Sequence, residues 1–326
     1  MPKNLESLQE SRLIREMMRQ RYGIIPRSII PSQWSIKVKD DFIKGYQDHM
    51  KAEGQTGTPW GLSGVGARHG DHSRFPQNVG VFLTKFYTPD KLEDSSKGYF
   101  SNSLATVLDP FAGHVSRLDL VYKCNRNYVG WDCSEEFMKY NNLIAEELQN
   151  KLTLFPSLNK IELVKGDSRT INYQNQFDFC LSSPPYYLLE EYGNEPEQLG
   201  KLGSYEDFLE GLQQVVNNCY QALKDETFIA WEVNDFRLDK EFIMFHADTI
   251  SLFKRAGFLI HDIIIVDYLS GFLFKFASQM EEYKFVAKTH SYIIVGRKGD
   301  KNKRKFTSRG DLLKIAHDTI PITGIV

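Results

Sequence analysis

Thr106-Val107-Leu108-Asp109-Pro110-Phe111-Ala112-Gly113 is a short β-rich run that ends on an acid and breaks at once into a proline and glycine turn. About 20 residues later, the spacing at which a second acid can reach a ribose in nucleoside-binding α/β folds, Tyr128-Val129-Gly130-Trp131-Asp132 repeats the plan. Ile161 to Val164 leads to Gly166-Asp167-Ser168, and the apolar run Phe177 to Leu181 leads to Ser182-Ser183-Pro184-Pro185. Four strands in succession thus carry polar residues to their carboxyl ends, where an open parallel sheet binds its ligands. Helical patterns lie between or after them, at Glu135 to Leu148 and Tyr205 to Leu223, and further strands are expected at Thr227 to Val233, Leu259 to Val266 and Tyr292 to Gly296. Alternation of this kind predicts an α/β fold with a parallel sheet built from βα units.

Composition agrees. The 326 residues are 41% hydrophobic and 25% charged, which excludes disordered and fibrous classes. With 40 basic and 42 acidic side chains the formal charge is −2, so a polyanion would have to be held by local basic clusters. Lys298, Lys301, Lys303, Arg304, Lys305 and Arg309 form one such set, and Arg12, Arg15, Arg19, Arg21 and Arg27 another. The stretch from Glu190 to Glu210 is acidic and a poor phosphate surface. Cys124, Cys133, Cys180 and Cys219 include no C-x-x-C pair and read as buried reduced thiols, not as a metal site. No segment approaches a membrane span or a signal peptide, so a cytoplasmic location is expected.

Residues 5 to 20 read as an amphipathic helix stopped near Gly23. From Gly54 to Pro76 glycines recur too often for regular structure. The expected organisation is an N-terminal appendage over 1–76, a main domain over 77–299 and a basic tail over 300–326.

Each strand end has its own chemistry. At Gly113 the backbone can approach a ligand closely, and Asp109 can accept bonds from an ammonium or hydroxyl group, or else cap a sharp turn. Asp132, followed by Cys133, is placed to hold two ribose hydroxyls. Asp167 and Ser168 could bond an adenine amine or form a capped turn. No G-x-G-x-x-G and no G-x-x-x-x-G-K-S/T occurs, which argues against dinucleotides and nucleoside triphosphates. After Ser183, two prolines stiffen the chain and remove two N–H donors, leaving carbonyl acceptors beside the rings of Tyr186 and Tyr187. Such a loop can hold a planar amine. His114 follows the first turn and suits either a helix start or a ligand contact.

Over roughly residues 79 to 298 these segments, in this order, resemble the S-adenosylmethionine-dependent amino-methyltransferases of DNA. Asp109-Pro110-Phe111-Ala112-Gly113 resembles the first motif, Asp132 the ribose-binding acid, Asp167-Ser168 the adenine-side position and Ser183-Pro184-Pro185-Tyr186 the catalytic motif. Val81 to Pro89, with Lys85, Phe86, Tyr87 and Thr88, resembles the segment that closes over the methionine end of the cofactor. Glu190 to Gly200 with Asn234-Asp235-Phe236-Arg237 is similar to a phage-associated branch of DNA methylases. The resemblance implies the Rossmann-like α/β methyltransferase fold with a mostly parallel seven-stranded sheet and helices on both faces. It also implies S-adenosyl-L-methionine as cofactor, double-stranded DNA as partner, no metal, and a role in DNA modification or restriction-modification.

In that reading Ser183 and the Pro184 carbonyl accept the hydrogens of a flipped base's exocyclic amine while Tyr186 stacks on the ring. Serine in the first catalytic position leans toward cytosine N4, with adenine N6 or an RNA base as the alternative. One departure stands out: His114-Val115-Ser116-Arg117 replaces the family's Ser-Gly-Thr after the first motif, so a catalytically silent nucleic-acid-binding protein of the same fold remains a third reading.

Overall fold

The structure, a computed structural model, describes residues 5–32, 75–88, 104–150, 158–189, 193–239, 241–268, 277–302 and 308–319. The chain divides into two compact units: one contains the described residues 5–27 and those from 300 onward, the other 28–32 and 75–299.

The smaller unit pairs α1 (Leu5–Tyr22) with α8 (Arg309–Thr319). Leu13 and Met17 of α1 and Ala316 of α8 are buried against one another. Gly23, at φ 75°, ends α1 by donating its N–H to the Arg19 carbonyl at 2.9 Å, a left-handed cap that glycine adopts without cost. Ser308 starts α8 by accepting from the Asp311 N–H at 3.1 Å. The segment expected as a basic tail therefore contains a docked helix.

The larger unit is built on one sheet. Its strands are β1 (Ile29–Pro31), β2 (Thr106–Asp109), β3 (Asn127–Asp132), β4 (Ile161–Lys165), β5 (Phe177–Ser182), β6 (Leu223–Val233), β9 (Leu259–Asp267) and β10 (His290–Arg297), while β7 (Phe236–Leu238) and β8 (Glu241–Ile243) form a separate hairpin. The order is β1-β9-β10-β6-β5-β2-β3-β4, parallel throughout except at β10, which runs antiparallel to both neighbours. Seven of these strands make the expected Rossmann-like sheet. The eighth, β1, comes from the N-terminal segment and pairs in parallel with β9, matching Ile30 to Val266.

Helices α2 (Gln77–Tyr87), α3 (Ser116–Lys123) and α4 (Glu135–Asn150) pack in succession, and α5 (Tyr205–Ala222) packs on α6 (Phe245–Ala256). In α5, Phe208, Leu212, Val215, Val216 and Cys219 recur at helical spacing and are wholly buried. Its N-terminus is capped by Ser204, which accepts from the Asp207 N–H at 3.0 Å. The short α7 (Ala277–Tyr283) lies between β9 and β10. Helices α2, α3 and α6 and the β7–β8 hairpin are not among the elements expected from the sequence.

The Gly-rich stretch with Trp60 and His69, together with Pro89 and the basic residues Lys303, Arg304 and Lys305, lies outside the described residues. No described helix is long and apolar enough to cross a membrane.

Candidate active site

The register of the parallel strands brings Asp109 beside Gly130, Asp132 beside Lys165, and Ser182 beside Trp231, so the polar strand ends form one edge. The turn after β2 is held from within. Asp109 is fully buried and its carboxylate accepts from Arg117 Nε at 2.7 Å, Tyr128 Oη at 2.8 Å, Ser182 Oγ at 2.6 Å and the Phe111 N–H at 3.2 Å. Arg117 also donates to the Phe111 carbonyl and lies over the Phe75 ring, 5.6 Å from its centroid. Burial and the Asp109 charge keep Tyr128 protonated well beyond its ordinary range, so it stays a donor.

Gly113 has φ +53°, a conformation that disfavours any side chain. Its N–H donates to Asp132 Oδ2 at 2.7 Å, and its carbonyl accepts from Asn141 Nδ2 at 2.8 Å. Asp132 Oδ1 takes the Ser134 N–H at 2.8 Å. Burial pushes the Asp132 carboxyl up to about 6, against the pull of those two N–H groups. Burial likewise pushes the neighbouring Cys133 thiol up to about 12, which leaves it a thiol and not a nucleophile. Asp167 caps the following turn through the Arg169 N–H at 2.8 Å and pairs with the Arg169 side chain, while Ser168 donates to the Pro110 carbonyl.

A cavity of about 870 Å³, counted to its mouth, joins these strand ends. Gly113, His114 and Arg117 line it on one side, Asp132, Cys133, Asp167 and Ser168 along the edge, and Ser183, Pro185 and Tyr186 at the far end. Phe111 and Phe137 provide apolar surface. Tyr186 is itself braced edge-on by Phe236 and Phe245, with centroids 6.3 and 5.9 Å away.

Several expected residues stand elsewhere. Asp109, Pro110 and Ala112 form the turn but not the cavity lining, and Pro184 is buried behind the lining. Lys85, Phe86, Tyr87 and Thr88, expected over the methionine end, line none of the cavity. Tyr87 donates to Asp262 at 3.0 Å and stacks near Phe179, and Thr88 accepts from Arg126 Nε at 2.8 Å, just before β3 begins. These contacts place the end of α2 at the amino edge of the sheet. The opposite end of the same helix reaches the cavity: Phe75 lines it, and its N–H donates to Ser116 Oγ at 3.3 Å.

Sequence reasoning also missed Phe137, Glu197 to Leu199 and Glu232 as lining residues. Phe75-Pro76, an aromatic before a proline at a helix start, was the available signal for the first of the missed contacts. Among the described residues no three His, Cys, Asp or Glu side chains group as a metal site.

Fold and cavity define a Rossmann-like α/β protein with a candidate site at the carboxyl edge of its sheet. Residues 177–321, fewer than half of the chain, match the sequence model of a family described as DNA methylase. No curated protein matches the chain.

Among solved structures, a TehB-like SAM-dependent methyltransferase from Corynebacterium glutamicum is 14% identical, with 77% of this chain and 99% of that chain covered and a TM-score of 0.41. TrmN from Thermus thermophilus is 14% identical over 67% of this chain and 48% of its own, with a TM-score of 0.40. A second Thermus thermophilus protein, proposed to be a DNA modification methylase and solved with S-adenosyl-L-methionine, is 24% identical, with 44% of this chain and 56% of that chain covered and a TM-score of 0.32.

Proposed function

We propose that the protein is a DNA methyltransferase that moves a methyl group from S-adenosylmethionine to the exocyclic amine of an extruded base, with cytosine N4 as the preferred acceptor. The observation that carries this reading is the single cavity joining Gly113 and Asp132 to Ser183 and Tyr186. The match to the DNA methylase family supports the acceptor class.

The residues present fit the cofactor. Asp132 has given one lone pair on each oxygen to a backbone N–H and retains acceptor capacity for ribose hydroxyls. Phe111 and Phe137 offer apolar surface for a purine. When bound, S-adenosylmethionine supplies an electrophilic methyl group on a positively charged sulfur.

A base paired inside a duplex cannot reach such a site and must leave the stack. Tyr186 would then stack on it, and the Ser183 hydroxyl would accept an amine hydrogen, drawing the nitrogen lone pair out of the ring. Positioning and local electrostatics supply most of the acceleration. Arg12, Arg15, Arg19 and Arg27 are exposed and suit phosphate contacts, so weaker DNA binding at higher salt is expected.

Calorimetry with S-adenosylmethionine and nucleoside mass spectrometry of DNA from expressing cells test the reading together. The expected outcome is cofactor binding and an N4-methylcytosine signal that disappears in Ser183→Ala. An N6-methyladenine signal would reject the base assignment, and absence of binding would favour a silent nucleic-acid-binding protein.

A further inference from the structure

One buried carboxylate in the cavity has no part in the scheme above. Glu232 lies on β6, one residue beyond Trp231, and Trp231 pairs with Ser182 on β5. Ser183 follows the end of β5 directly, so each of the two residues lies one position past the Ser182–Trp231 pair, and both line the cavity.

The two oxygens of Glu232 are treated differently. Oε1 accepts from Ser291 Oγ on β10 at 2.8 Å and from Tyr268 Oη, just after β9, at 2.5 Å. Oε2 has no protein partner among the described residues. One oxygen is thus anchored by two hydroxyls while the other remains available. A glutamate 6% exposed, wedged between three strands, is costly to keep unless that oxygen meets something.

Resting on the proposed methyl transfer, we propose that Glu232 is a catalytic residue that takes the proton from the target amine through Oε2. The amine nitrogen forms its bond to the methyl carbon. The methyl–sulfur bond breaks, its electron pair staying on sulfur, and one N–H proton passes to Oε2, leaving a neutral methylated amine. Ser183, a neutral acceptor, orients the amine but cannot take that proton at neutral pH. Tyr268 and Ser291 are positioning residues that hold the carboxylate.

The groups facing Glu232 set its titration. Burial raises it above the ordinary glutamate value, while the Tyr268 and Ser291 hydroxyls and, more weakly, the Arg117 charge on α3 favour the ionised form. Asp132, Asp167, Glu197 and His114 line the same cavity.

The test is single-turnover methylation of duplex DNA followed against pH, at saturating cofactor and DNA so that the titration of Asp132, which acts on binding, is silent. The wild-type rate should rise with pH through the Glu232 titration and then level. Glu232→Gln keeps an acceptor for both hydroxyls; it should slow the step by about 10²-fold or more and flatten the profile, with cofactor affinity within threefold of wild type. Tyr268→Phe should move the rising limb to higher pH, because the ionised form loses a donor. A Glu232→Gln rate within threefold of wild type, or a Tyr268→Phe limb that stays in place, would overturn the assignment. If wild-type protein binds the cofactor but methylates no DNA base, the function proposed above falls, and this inference with it.

Discussion

Asp109 and Asp132 end neighbouring parallel strands and look alike as sequence, yet they do different work. Asp109 faces inward and gives its carboxylate to an arginine, a tyrosine, a serine and a backbone N–H. Asp132 faces the cavity and gives its carboxylate to two backbone N–H groups alone. An acid at a strand end therefore signals either a turn that must be held or a ligand that must be bound. The number of protein donors around it decides which.

Removing Arg117 should break this contrast most severely. Arg117→Met leaves Asp109 charged and buried without its cation, a class of change that costs about 3–5 kcal/mol, and a large fall in the chemical denaturation midpoint is expected. Asp132→Asn should act on the other side of the comparison. Charge-assisted hydrogen bonds to a ribose contribute about 1.5–3 kcal/mol, so calorimetry should show roughly 10- to 100-fold weaker cofactor binding.

The same carboxylate gives a pH dependence with a definite sign. Its folded-state value of about 6 lies above the ordinary 3.8, so the stability linked to it is full below about 4 and lost as pH rises through 6. Ribose hydroxyls favour the ionised form, so cofactor affinity should rise with pH up to about 6 and level above it; a flat profile in wild type, or an unchanged one in Asp132→Asn, would separate Asp132 from the ligand.

Gly113→Ala forces a side chain into φ +53° and should cost about 1–2 kcal/mol of stability, read by denaturant titration. The smallest effect is expected at Lys85. Lys85→Ala should leave calorimetric affinity within twofold, because that end of α2 is remote from the cavity.

How much was legible follows from where the determining contacts lie. The strands, α5 and the polar strand ends were readable because period, run length and turn residues are local properties of the chain. The placement of α2 was not. Lys85 to Thr88 looked like a cofactor segment from their position ahead of the first motif, whereas contacts with Asp262 and Arg126, about 40 to 175 residues away in the chain, hold that end at the opposite edge. Glu232 was hidden for the same reason, since its tyrosine and serine partners come from the end of β9 and from the reversed strand β10.

Sequence by itself determined a parallel sheet of βα units whose strands deliver acids and a proline-stiffened serine tip to one edge, because side-chain alternation and turn chemistry act over a few residues. Only the tertiary structure decided that Asp109 is held inside the turn while Asp132 faces the cavity, that Phe75 and not Thr88 lines it, and that Glu232 lines the same cavity as Ser183. Those distinctions depend on which distant donors and walls surround each group, and burial is a property of the packed molecule.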